Sequence, residues 1–171
     1  MKSDKNIKRK AFTLIELLLY IGLAGFILLA TSVFYFETLR SRVKNQTITE
    51  VEQQGTMAME TITQAIRNSD SVTAPVVATS GSSLTITSTV PAQNPTVINV
   101  TSGSIKIAEG ATAAVELTTP KVTVSSLNFQ NLSMSLTPGI IKVSFTVTYI
   151  NNSGRNEYDF SKTFTGAASL R

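Results

Sequence analysis

The sequence predicts an α+β protein in which one long N-terminal helix packs, through its outer half, on a C-terminal antiparallel β-sheet. Three observations predict it. Residues 12–36 form an unbroken apolar run, residues 37–68 keep apolar side chains at steps of three and four, and beyond Pro75 the chain turns to Ser, Thr and β-branched residues alternating with period two. The expected divisions are residues 1–11, 12–36, 37–70 and 71–171: a basic leader, an apolar helix, its amphipathic continuation and the sheet.

The apolar run, FTLIELLLYIGLAGFILLATSVFYF, holds one charged side chain, Glu16. As a helix it is roughly 37 Å long at about 1.5 Å per residue, enough to cross a hydrocarbon core of about 30 Å. A carboxylate placed there costs on the order of 2.5–3.5 kcal/mol unless something pairs with it, so Glu16 implies a partner. A secretory signal peptide has a shorter apolar core with the cleavage site behind it, which does not fit. An uncleaved signal anchor explains the length and the basic flank but leaves Glu16 without a purpose.

In front of this run lie Lys2, Lys5, Lys8, Arg9 and Lys10 against Asp4 alone. The positive-inside bias holds that flank in the cytoplasm and puts the remainder of the chain outside a single-pass inner membrane segment. The same residues explain the pI of 9.5: without the leader ten basic and ten acidic side chains remain, so net charge gives a nucleic-acid role no support.

The order Lys10, Ala11, then FTLIELL at residues 12–18, resembles the processing site of type IV pilins and type II secretion pseudopilins. The resemblance implies that a prepilin peptidase cuts between Ala11 and Phe12 and methylates the new amine, leaving the apolar helix in the mature subunit. The family usually carries glycine before the cut, where this chain has Ala11. The resemblance further implies a pilus, secretion or DNA-uptake filament, with other pilin-like subunits, the peptidase, an inner-membrane assembly platform and lipid as partners. The stretch VEQQGTMAMETITQAIRNSDSV, residues 51–72, resembles the helix end of minor subunits such as the J-type pseudopilin. Tip pseudopilins commonly lack the acid, so Glu16 suits a subunit with another above it. Physically, a new amine at Phe12 lies about 6 Å along the helix axis from Glu16, and pairing between neighbouring subunits would offset the burial of both charges.

Gly22 and Gly25 stand three apart, a spacing that lets helices approach closely in a bilayer or bundle. No proline interrupts residues 12–68, so a continuous helix of about 55 residues is expected. Its outer half buries a narrow face through Leu39, Val43, Ile48, Val51, Gly55, Ala58, Ile62, Ala65 and Ile66, with Gly55 and Ala58 marking a close approach. Residues 67–71 read as the helix end. Strands are expected around Leu84, Ile86 and Val90; Ile98 and Val100; Ile105 and Ile107; Val115 and Leu117; and Val122 and Val124, with Gly81, Gly103 and Gly110 in turns. A last hairpin alternates Ile141, Val143, Phe145, Val147 and Tyr149, turns at residues 151–154, and returns through Tyr158, Phe160 and Phe164. It is expected to hold the best-packed core, against Val51, Ala58 and Ile62.

The chain has no Cys, His or Trp, which excludes disulfides, Cys/His metal sites and His-dependent nucleophilic catalysis. No catalytic residues, metal or other cofactor are expected, and the chain does not read as an enzyme. Glu157 and Asp159 are too few for calcium and read as an outer strand face. Lys142, Arg155 and Lys162 would make at most a small basic patch, and Glu50, Glu52 and Glu60 with Arg40, Arg42, Lys44 and Arg67 a solvated helix face. The alternative to a filament subunit is a single-pass anchored β-rich binding module that does not polymerise.

Overall fold

The computed structural model describes residues 12–88, 90–134 and 139–171. The expected α+β class is observed, with one α-helix, α1 (Leu14–Arg67), and nine strands among the described residues. The chain divides into two compact units, one up to Arg42 and one comprising Val43–Arg171.

In the first unit α1 is unbroken through Gly22 and Gly25, and every residue from 12 to 37 is exposed. This stretch is long and apolar enough to cross a membrane.

In the second unit, α1 and two antiparallel sheets share one core. The sheets contain β1 (Ser69–Ala74), β2 (Ser80–Gly81), β3 (Leu84–Ser88), β4 (Thr96–Thr101), β5 (Ser104–Glu109), β6 (Val115–Glu116), β7 (Val122–Asn131), β8 (Ile140–Tyr149) and β9 (Ser161–Ser169). A five-stranded sheet runs β1-β3-β4-β5-β6 and a four-stranded one β2-β7-β8-β9. The expected single sheet is thus two, because the chain crosses between them three times.

Alternation places most of the core as expected, but Leu39 on the helix and Val115 in β6 are exposed and lie outside it. Leu84, Ile86, Ile98 and Ile105 from one sheet and Phe129, Ile141, Val143, Phe145 and Val147 from the other are buried, together with Val51, Ala58, Ile62 and Ile66 of α1. The helix lies close because it carries no side chain where Phe164 sits: a Cβ on Gly55 would fall 2.1 Å from that ring. Opposite Phe164 in β8 is Phe145, its ring stacked at 5.6 Å.

Several expectations are corrected. Residues 69–74 form a strand, not a helix end: Ser69 Oγ donates to Ile66 O at 2.6 Å, and Val72 then pairs with Ile86. Val90 lies past β3, exposed before a 3-10 turn at Pro91–Gln93. Gly81 is in β2, whereas Gly103 (φ +78) closes the two-residue β4–β5 hairpin beside Ser102 (φ +55), as a tight primed turn requires. β9 begins only at Ser161, with Tyr158 in a 3-10 turn (Asn156–Tyr158) and Phe160 just outside the strand. Asn151 holds that loop. Its Oδ1 accepts the N–H of Ser153 at 3.1 Å and of Gly154 at 2.9 Å, and its Nδ2 donates to Asp159 Oδ1 at 2.6 Å.

Candidate functional site

The first turns of α1 form the candidate site. Ala11 and the leader lie outside the described residues. Thr13 caps the helix: its Oγ1 accepts the backbone N–H of Glu16 at 3.4 Å, and its carbonyl accepts that of Leu17 at 3.2 Å. Thr13 and Glu16 therefore occupy the ends of a Thr-x-x-Glu capping pattern, a helix-start signal present in the sequence but not among the residues expected to form the site. The carboxylate also stands in the first turn, where the helix dipole favours negative charge. The ring of Phe12 meets that of Tyr20 edge-on at 5.9 Å.

Beyond this cap the segment presents an apolar surface. Leu14 is 79% and Phe34 74% exposed. A Cβ on Gly22 or Gly25 would meet nothing within 4 Å, so both glycines border open space. The hydroxyls are already satisfied by the helix itself: Thr31 Oγ1 donates to Ile27 O at 2.9 Å, Ser32 Oγ to Leu28 O at 2.8 Å and Thr38 Oγ1 to Phe34 O at 2.9 Å. Such back-bonding lets Ser and Thr sit in an apolar medium at little cost. The charge left to accommodate is Glu16.

In the second unit the helix charges do more than face solvent. Lys162 Nζ meets Glu52 Oε1 at 2.6 Å, Lys121 Nζ meets Glu50 Oε2 at 3.5 Å, and Lys44 Nζ donates to Asp159 O at 2.7 Å. Gln54 is buried. Its Oε1 accepts the N–H of Thr119 at 3.2 Å, tying the segment before β7 to the helix. Because Glu52 and Lys162 are both about half exposed, Glu52→Gln should cost less than about 1 kcal/mol in urea unfolding. A larger loss would mean that this pair sets the seat of the helix on β9.

Glu157 and Asp159 sit in and just after the 3-10 turn rather than on a strand face, with Glu157 paired to Arg155. Among the described residues no three acidic, His or Cys side chains converge as a metal site would require. The cations do not gather either. Lys142 is opposite Ala167, while Lys162 is opposite Val147 of the buried alternation, so the two lie on opposite faces of the sheet. A cleft of about 560 Å³ lies beside α1, bordered by Gln46, Glu50, Gln53, Lys121, Tyr149 and Tyr158. No family model, curated protein or solved structure matches this chain.

Proposed function

We propose that the chain is a pilin-like filament subunit, a minor pilin or pseudopilin of a pilus, secretion or DNA-uptake system. In this reading the membrane holds it by residues 12–36, with the β unit outside. After the leader is cut before Phe12, it is drawn into a filament by an inner-membrane platform. The observation carrying the proposal is the wholly exposed apolar start of α1, with Glu16 in its first turn one helical turn from the proposed new amine. A lone subunit leaves that acid unpaired in lipid, and a neighbour's ammonium relieves it, so the pairing rewards assembly and sets the axial stagger. The work is mechanical and involves no catalysis.

The Thr13 cap favours a second reading, an anchored binding module in which Glu16 only starts the helix. Glu16→Gln separates the two, since glutamine serves a capping pattern as well as glutamate but carries no charge. In the native host, the filament reading expects the variant to be processed yet absent from envelope polymers. Normal polymers formed by Glu16→Gln would end the ion-pair account. Mass spectrometry of the mature protein should find an N-methylated Phe12, and a functional protein still beginning at Met1 would rule out the filament reading.

A further inference from the structure

A sheet edge presents unpaired backbone groups, and proteins usually blunt such edges by shortening or bulging them. Here three of the four edges are blunted: β2 and β6 have two residues each, and the pairing of β1 is broken by two register shifts. β9 is different. It has nine residues, pairs with β8 without a shift, and contains no proline.

The hydrogen bonds at its two ends show which of its backbone groups are open. The Tyr149 N–H donates to Phe160 O at 3.0 Å and the Leu170 N–H to Gly139 O at 2.8 Å. In an unbroken antiparallel ladder this parity turns the N–H and C=O of Lys162, Phe164, Gly166 and Ala168 toward β8, and those of Ser161, Thr163, Thr165, Ala167 and Ser169 outward. All five outward residues are exposed, uncharged and small. The charge on this strand, Lys162, is on the helix side and bound to Glu52. It guards one end and leaves the remainder open.

We propose that β9 is a strand-addition site that takes an extended, uncharged, Thr/Val-rich segment of a different polypeptide as an antiparallel fifth strand. Main-chain bonds to Thr163, Thr165 and Ala167 supply the affinity. The hydroxyl-bearing outer face, where Thr146 and Thr163 hydroxyls meet at 2.8 Å, favours β-branched and hydroxyl side chains in the occupant. A second copy is the poorer occupant. β9 runs alongside α1 in the same direction, with Lys162 at Glu52, Phe164 at Gly55 and Gly166 at Met59. Two β9 strands paired antiparallel would therefore set these helix stretches head to tail. The open edge is a property of β9 alone, whereas the rejection of a second copy rests on the proposed membrane reading, in which all copies of α1 point the same way.

Amide hydrogen exchange on the full chain in detergent micelles tests it, with a short end-blocked peptide of alternating threonine and valine as probe. In the free protein the amides of Thr163, Thr165 and Ala167 should exchange quickly and those of Phe164, Gly166 and Ala168 slowly. Saturating peptide should slow the first set by about tenfold or more. Thr165→Pro removes an outward donor that β8 does not use, so it should abolish the response while Phe164 and Gly166 stay protected. Thr163→Pro is the replacement should that variant fail to fold. Unchanged exchange in the wild type at saturating peptide overturns the proposal. A spontaneous Thr165→Cys disulfide between two copies overturns it in favour of a homodimer, a clean readout in a chain with no cysteine of its own.

Discussion

Phe145→Ala should lower the stability of the β unit by about 3–5 kcal/mol, with a fall in Tm on the order of 10–20 °C. Phe145 is fully buried at the middle of β8, has a strand on either side, and stacks on Phe164, which in turn sits on Gly55. Removing its ring opens a cavity where helix and sheet meet, and the surrounding β-branched side chains have few rotamers with which to fill it. Lys142→Ala, on the outer face of the same strand, should stay within about 0.5 kcal/mol and serves as control. Urea unfolding of the full chain in micelles, followed by the near-ultraviolet signal of the tyrosines, measures both. A Phe145→Ala loss below about 1 kcal/mol would place the principal core elsewhere.

Gly110→Val should cost about 3 kcal/mol or more, from two sources that a companion variant can separate. Gly110 has φ +59, a conformation costing side-chain-bearing residues about 1–2 kcal/mol. A Cβ there would also lie 2.2 Å from the carbonyl oxygen of Ala92, main chain that can yield only by moving the loop before β4, adding about 1–3 kcal/mol. Gly154 has φ +67 but open space around it, so Gly154→Val carries the conformational cost alone. Equal losses in the same unfolding experiment would mean that the Ala92 contact contributes nothing.

Much of this fold is legible in the sequence, because apolar periodicity reports directly on burial. Val51, Ala58, Ile62 and Ile66 mark the buried helix face, and the odd-numbered residues of β8 mark the inner face of its sheet. What escapes has non-local causes. SDSVTA has the composition of a helix cap and becomes β1 through pairing with β3, including a Ser71–Thr87 hydroxyl contact at 2.5 Å. The alternation of Tyr158 and Phe160 continues the pattern of β9, yet the side chain of Asn151 curls the backbone there. In β7 the chain has an extra residue between Ser125 and Asn128, with Ser126 at φ +55, so alternation breaks and the strand's continuation to Asn131 is hidden. Of the candidate site, Glu16 is found by its incongruous charge. Thr13 is missed because a hydroxyl in an apolar run attracts no attention until its hydrogen bond is seen.

The crossing between the sheets has a consequence for how the β unit opens. β2 meets β7 through Ser80↔Gln130 and Gly81↔Phe129, with the entire β3–β6 excursion lying between the partners in sequence. Closing so long a loop is entropically expensive, and two residue pairs return little. The fastening is completed by Asn131, whose main chain bonds to Ala78 at 3.0 Å and Thr79 at 2.9 Å and whose buried side chain donates through Nδ2 to Pro75 O at 2.8 Å. This latch should be the first seam to part under mild denaturant. β2 would then fray from β7 while Leu84, Ile98, Phe129 and Phe145 keep both sheets packed on α1.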